Sequence, residues 1–143
     1  MEGNEVSVLS LSRRFGKLER DVLQAALFFL GTLGKKSVSI DVFLVNERRM
    51  RAINKKYRGK NSSANVLAFK EPDDFPRLPN HTMRLGEVYL SPAYIKEHDE
   101  ELDYMLLHGI LHLAGFNHEN KSDRIRMEKI EEDFITQWRN NKF

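Results

Sequence analysis

The stretch Leu107-His108-Gly109-Ile110-Leu111-His112-Leu113-Ala114-Gly115-Phe116-Asn117-His118 contains three histidines in the pattern H-x-x-x-H-x-x-G-x-x-H. On a helix, His108 and His112 lie on the same face, one turn apart. Two imidazoles placed in this way can bind one metal ion from the same side. Gly115 can then end the helix, because glycine readily adopts the left-handed conformation, and the chain can bring back His118. The pattern therefore predicts a metal site formed by these three histidines.

The number of ligands indicates which kind of metal site this is. Zinc bound by three protein side chains, with a fourth position open, is typically catalytic, whereas structural zinc usually has four protein ligands. The chain has no cysteine, which excludes a cysteine-bound structural zinc. Two histidines at this spacing usually occur by chance and bind no metal. Three histidines within an apolar segment favour metal binding, because buried polar groups without a partner are costly. We expect one Zn²⁺ ion per chain.

Gly109 distinguishes this pattern from that of the metzincin proteases. Those enzymes read H-E-x-x-H-x-x-G-x-x-H, and the glutamate after the first histidine is their general base. Glycine cannot accept a proton, so the pattern has the metal ligands of a protease without its base. Glycine inside a helix also costs about 1 kcal/mol relative to alanine. Close approach by a neighbouring strand or by a substrate would explain that cost.

Composition places the chain among ordinary globular proteins. The 143 residues suffice for one domain, and we predict a single domain over residues 1–143. No apolar run approaches the roughly 20 residues of a membrane-spanning helix, so no membrane association is expected. The polar, acidic N-terminus does not resemble a secretory signal. Together with the absence of cysteine, this favours a cytoplasmic location.

Positive charge is concentrated in one segment, although the formal net charge is only +2. Residues 48–60 contain no acidic residue and seven basic ones, which are Arg48, Arg49, Arg51, Lys55, Lys56, Arg58 and Lys60. Such clustering is typical of a surface that binds a polyanion. A solvated helix face has the same composition, so charge alone leaves both interpretations open.

The periodicity of apolar residues predicts strands mixed with helices. Strands are expected near residues 6–9, 38–44, 65–69 and 85–90, and helices near residues 17–33, 47–57 and 100–114. Asn46 can cap the second of these helices. A last helix is expected to bury the face carrying Met127, Ile130, Phe134 and Trp138, and residues 70–80, which contain three prolines, are expected to form a loop. This mixture indicates an α/β or α+β fold.

Three sequence blocks resemble the motifs of one family. The block Ile53-Asn54-Lys55-Lys56-Tyr57-Arg58-Gly59-Lys60 is similar to L-N-x-x-Y-R-G. The block Leu85-Gly86-Glu87-Val88-Tyr89-Leu90-Ser91 is similar to L-G-D-I-x-I-S. The histidine block has every fixed residue of H-G-x-L-H-L-x-G-x-x-H. From about residue 38 onward the chain thus resembles the YbeY family, bacterial endoribonucleases of ribosomal RNA maturation.

This resemblance implies a fold, a site and an activity. The fold would be zincin-like, with a mixed sheet of four to five strands packed by helices around a central metal-binding helix. His108, His112 and His118 would bind the metal, and Arg58 would be the catalytic arginine. The other basic residues of the 48–60 segment would bind the RNA backbone. The expected activity is metal-dependent cleavage of single-stranded RNA, with ribosomal RNA or a ribosomal subunit as partner.

Three departures from the family motifs leave other functions open. Asn65 and Asn117 stand where the family often has aspartate, and Glu87 stands in place of the aspartate of L-G-D. We expect Glu87 to be the nearest candidate for an acidic helper at the site, or else a solvent-facing strand residue. The alternatives to the endoribonuclease are a zincin-like metalloprotease with its base elsewhere and a ribosome-assembly or RNA-binding factor with weakened catalysis.

Overall fold

The computed structural model describes residues 3–72 and 81–141. Within these residues the strands are β1 (Glu5–Ser10), β2 (Val38–Leu44), β3 (Val66–Lys70) and β4 (Met83–Leu90). The α-helices are α1 (Glu19–Thr32), α2 (Glu47–Arg58), α3 (Pro92–Glu97), α4 (Leu102–Leu113) and α5 (Lys121–Asn141). A 3-10 helix, Arg13–Leu18, precedes α1. The predicted elements are therefore present, with ends that differ by a few residues.

The described strands form one mixed sheet in the order β1-β2-β4-β3. The pairs β1–β2 and β2–β4 are parallel, whereas β3 runs antiparallel to β4 and lies at the edge. The parallel pairs require crossover connections, and α1 supplies the one between β1 and β2. The predicted α+β fold with a mixed sheet is confirmed, and the sheet has four strands.

Alternating side chains divide the molecule into two apolar layers. In β2, Ile40 and Val42 are buried on the face covered by α1, α4 and α5. Phe43 points to the other face, where it packs with Met50 of α2. This division follows from the two-residue period of a strand. As a result α2 and α4 lie on opposite faces of the sheet.

The helix that carries the first two histidines is central to the fold. Helix α4 packs on β3 and β4 and also contacts α1 and α5. Its apolar residues are buried on nearly all sides, which explains the lack of a clear polar face in its sequence. The prediction of a central histidine-bearing helix is confirmed.

The buried face of α5 differs from the predicted one. The buried residues of α5 are Met127, Glu131, Ile135 and Trp138. The buried face of α5 is thus rotated relative to the prediction, because Ile130 and Phe134 are only partly buried.

The loop predicted at residues 70–80 can be compared with the structure only in part. Lys70 is the last residue of β3 rather than the first of the loop, and residues 73–80 lie outside the described residues. Within residues 3–72 and 81–141, no helix has the length and hydropathy needed to cross a membrane.

Candidate metal centre

The end of α4 turns the chain so that the third histidine returns to the first two. Gly115 has φ +100, a conformation that side chains rarely adopt. Its N–H donates to the carbonyl of His112 at 3.1 Å, and the N–H of Phe116 donates to that of Leu111 at 3.0 Å. These bonds satisfy carbonyls that the last helical turn leaves unpaired. The predicted role of Gly115 as the helix-ending residue is confirmed.

The structure brings the three predicted ligands together. One ring nitrogen from each of His108, His112 and His118 lies within 4.8 Å of the others. The Nε2 atoms of His108 and His112 are 3.2 Å apart. Zinc–nitrogen bonds of about 2.0–2.1 Å in a tetrahedral site place ligand nitrogens roughly 3.3 Å apart, so the spacing of this pair matches one such ion. The histidines are therefore positioned to bind a metal ion.

The environment keeps one ligand in its metal-binding form. Burial, followed by the charges of His108 and His118, lowers the pKa of His112 to about 4. His112 is thus neutral at pH 7, and neutral imidazole is the form that binds metals. His118 is exposed, whereas His108 and His112 are half-buried. The cluster therefore opens to solvent on the side of His118.

Glu131 of α5 contacts the cluster, and the sequence prediction missed it. Its Oε2 lies 2.6 Å from Nδ1 of His108, and its Oε1 accepts a hydrogen bond of 3.0 Å from the hydroxyl of Tyr104. Burial, followed by the charge of Glu131, raises the pKa of Tyr104 to about 12. One feature of the sequence points to this residue: Glu131 lies four residues from both Met127 and Ile135, so it is an acid within an apolar stripe.

A cavity of about 350 Å³ opens beside the cluster, on the side of α5. His108 and His118 form part of its wall. The remaining wall contains apolar residues and several charged ones, among them Arg124, Glu128 and Glu132. A group bound in this cavity would lie next to the histidines, so the cavity extends the metal centre rather than forming a separate site.

Arg58 ends α2 and lies at the exposed edge of the sheet. Its guanidinium donates to the carbonyl oxygen of Ala68 in β3 at 3.3 Å and stacks over the ring of Phe69. Its positive charge makes a minor contribution to the lowered pKa of His112. Helix α2 lies on the sheet face opposite α4, and Arg58 at its end contacts the edge strand β3.

The other predicted RNA-binding residues are farther along the same surface. All of them are exposed, and they lie on α2 or in the loop after it: Arg48, Arg49, Arg51, Lys55, Lys56 and Lys60. Asn46 caps this helix, since its side chain accepts a hydrogen bond of 2.8 Å from the N–H of Arg49. The basic segment thus forms a solvent-facing surface that extends to Arg58, beside the edge strand β3.

Glu87, the predicted candidate for an acidic helper, lies on the sheet face opposite the histidine helix. The neighbouring residue Val88 packs against α4 at Gly109, so alternation along β4 directs Glu87 to the other face of the sheet. There its carboxylate accepts hydrogen bonds from Arg84 at 3.2 Å and Tyr89 at 3.3 Å. Glu87 is a strand residue engaged in local pairing.

The two asparagines that depart from the family motifs have different surroundings. The amide of Asn65 donates to both carboxylate oxygens of Glu100, at 3.0 and 3.2 Å, and Asn65 lines the cavity beside the histidines. An aspartate at this position could not donate these bonds and would face another carboxylate. The side chain of Asn117 accepts from the N–H of Glu119 at 3.1 Å, a bond that an aspartate would also accept.

The fold and the cluster define an α+β protein with three histidines, positioned to bind a metal ion, at the end of a central helix. Residues 3–139 match the profile of the family described as Endoribonuclease YbeY. The chain belongs to this family, which confirms the resemblance and extends it over the N-terminal part.

Individual relatives agree with the family assignment. The Endoribonuclease YbeY of Buchnera aphidicola subsp. Schizaphis graminum is 42% identical over 106 residues. That match covers 68% of this chain and 65% of the relative, so it spans just under two thirds of the relative's length. The Endoribonuclease YbeY of Chelativorans sp. is 32% identical over 130 residues, covering 84% and 76%. The solution structure of TM1509 from Thermotoga maritima is similar, with a TM-score of 0.55, 25% identity and coverage of 95% and 93%.

Proposed function

We propose that this protein is a metal-dependent endoribonuclease that cleaves single-stranded RNA, with ribosomal RNA or a ribosomal subunit as its cytoplasmic target and Zn²⁺ as its metal. The observation that carries this proposal is the convergence of three imidazole nitrogens within 4.8 Å. The names of the relatives, Endoribonuclease YbeY, supply the reaction and the substrate class.

The open side of the histidine cluster supports catalysis rather than a structural role. Three imidazole ligands leave room for a substrate oxygen or water at the exposed side of His118. When bound there, a divalent ion supplies Lewis-acid polarisation of a phosphate oxygen and activation of water. The histidines hold this position, and His112 remains neutral at pH 7 because of its lowered pKa.

Arg58 suits the developing charge of phosphodiester cleavage. Negative charge spreads over the phosphoryl oxygens in the transition state, and a planar guanidinium can donate to two of them. This exposed side chain is held by a hydrogen bond of 3.3 Å to the carbonyl of Ala68 and by its contact with the ring of Phe69. In the proposed reaction, the guanidinium exchanges that carbonyl for a phosphate oxygen.

The basic surface of α2 supports binding of the RNA backbone. Seven exposed cations between residues 48 and 60 neutralise phosphates without reading the base sequence. Because α2 lies on the sheet face opposite α4, an RNA strand would pass over the edge strand β3, where Arg58 lies. A flexible single strand can follow such a path more easily than a stiff duplex.

The position of Gly109 argues against the metalloprotease alternative. A protease of this pattern places a glutamate here, on the helix that bears the ligands. In this chain position 109 faces Val88 and Val66 of the sheet, with too little space for even a methyl group. A base could not be accommodated at this point of the helix without moving α4 away from the sheet.

Metal analysis and a paired substrate assay test the proposal. We expect purified protein to bind about one Zn²⁺ per chain and to cleave single-stranded ribosomal RNA fragments internally, while it leaves duplex RNA and casein intact. His112→Ala should abolish metal binding and cleavage together. His98→Ala, which changes an exposed histidine outside the cluster, is the matched control and should retain both metal binding and cleavage. Cleavage of casein, or RNA cleavage that is equally fast after complete metal removal, would contradict the proposal.

A further inference from the structure

Glu131 stands out because it is a buried charge. Among the residues that the structure describes, it is the one charged side chain that is buried, with 3% of its surface exposed. Burying a carboxylate costs several kcal/mol unless hydrogen bonds and opposite charge compensate for the lost hydration. The location of Glu131 therefore needs a compensating partner, and its contacts identify two.

Each oxygen of this carboxylate has one partner on α4. Oε2 lies 2.6 Å from Nδ1 of His108, and Oε1 accepts from the hydroxyl of Tyr104 at 3.0 Å. Tyr104 and His108 are four residues apart, so both face α5 from the same side of α4. The carboxylate is thus held at both oxygens, which fixes its orientation relative to the imidazole.

The contact with Glu131 sets the tautomer of His108. An ionised carboxylate only accepts hydrogen bonds, so Nδ1 of His108 carries the proton. The lone pair is then on Nε2, the atom that lies 3.2 Å from Nε2 of His112. This is the nitrogen that must be unprotonated for His108 and His112 to bind one metal ion together.

We infer that Glu131, held in place by Tyr104, is a positioning residue that fixes the tautomer and orientation of His108 and raises the affinity of the site for metal. The inference deepens the metal-binding part of the proposed function and rests on it. A carboxylate that accepts from a ligand imidazole increases the basicity of that ligand, and loss of such a partner typically lowers metal affinity by about 10- to 100-fold. Its negative charge also offsets part of the positive charge of the ion.

Zn²⁺ affinity of the full-length protein, measured by competition with a chromophoric chelator, is the main test. We expect Glu131→Gln to raise the Zn²⁺ dissociation constant by about 10- to 100-fold. Glu132→Gln is the matched control, because it removes the same charge from the next residue of α5, which is exposed and lines the same cavity. The control should change the dissociation constant by less than about twofold. An unchanged constant in folded Glu131→Gln would overturn the inference.

A second readout does not depend on bound metal. In the metal-free protein, long-range ¹H–¹⁵N NMR correlations of the imidazole should show His108 protonated at Nδ1. Glu131→Gln should shift His108 toward the tautomer protonated at Nε2, because the side-chain amide can donate to Nδ1. A purely structural role would lower thermal stability and leave this tautomer ratio unchanged, which would also overturn the inference.

Tyr104→Phe covers the case in which Glu131→Gln fails to fold. It removes one hydrogen bond to the carboxylate and should weaken Zn²⁺ binding by roughly 2- to 10-fold, in the same direction. An unchanged Zn²⁺ affinity in Tyr104→Phe would overturn the proposed role of Glu131 and Tyr104. If the unaltered protein binds neither Zn²⁺ nor Co²⁺, the metal centre of the proposed function fails together with this inference. Failure of the variants alone leaves the proposed function standing.

Discussion

Gly109 lies against Val88 so closely that a Cβ atom at position 109 would be 2.8 Å from Val88 Cγ1. The same atom would be 3.2 Å from Cγ2 of Val66. Of the two explanations that the sequence offered for a glycine inside the histidine helix, the structure supports close approach by a neighbouring strand. The contact seats α4 directly on β3 and β4, and so places the histidines beside the sheet edge where Arg58 lies.

Gly109→Ala should destabilise the fold. Valine has a stiff side chain, and Val88 is fully buried, so the added methyl group can be accommodated only by shifting α4 or β4. We expect a loss of about 1–3 kcal/mol in the free energy of unfolding, despite the better helix propensity of alanine. Urea denaturation measures this free energy of unfolding. Gly31→Ala in α1, where a Cβ meets no atom within 4 Å, is the control and should be neutral or stabilising. Equal stability of the two variants would refute the packing argument.

Arg84 should have a pH-dependent effect on stability. Its guanidinium contacts Asp41, Glu71 and Glu87 on the face of the sheet opposite α4. Arg84→Met would leave three carboxylates close together, and we expect a loss of about 1–3 kcal/mol at pH 7.

The stability deficit of Arg84→Met should become smaller as the pH falls. Repulsion between the carboxylates in the folded variant favours proton uptake relative to the unfolded chain, so its stability relative to the unaltered protein recovers as the pH falls toward about 4. Thermal unfolding across this range measures the difference. Arg51→Met on exposed α2 should change stability by less than about 0.5 kcal/mol at every pH. A deficit that grows on acidification would show that the three acids are not coupled through Arg84.

Arg58 should affect cleavage and not metal binding. Removing a donor to a developing oxyanion typically lowers kcat about 10²- to 10³-fold, and we expect a loss of this size for Arg58→Ala in cleavage of single-stranded RNA. Arg58→Lys should recover only part of the rate, because an ammonium cannot donate to two oxygens in one plane. Arg20→Ala, at an exposed position of α1, is the control. Normal cleavage by Arg58→Ala would remove Arg58 from the mechanism.

Metal removal should lower the thermal stability of the protein. A ligand that binds only the folded state stabilises it by about 2.7 kcal/mol when its free concentration is 100 times Kd. We therefore expect a chelator to lower Tm and added Zn²⁺ to restore it. His112→Ala should show no such response, whereas His98→Ala should respond normally. A chelator-insensitive Tm in the unaltered protein would contradict a metal site that is formed only in the folded chain.

Local sequence patterns predicted much of this fold, because they depend on neighbours along the chain. The four-residue spacing of His108 and His112 and the turn at Gly115 are properties of one helix and its end. The alternation in β2 likewise determines which of its side chains are buried. The face of α5 was harder to predict, since its buried stripe is interrupted by the charge of Glu131.

The sequence by itself predicted the three histidines as candidate metal ligands, the helix that carries the first two, and the family resemblance. Only the tertiary structure decided that Glu131 contacts His108 across 23 residues of sequence and that Glu87 faces away from the site. The physical reason is that helical and strand periodicity is local, whereas contacts between α4 and α5, and between α2 and β3, depend on how whole elements pack. The surroundings of the metal centre come from that packing.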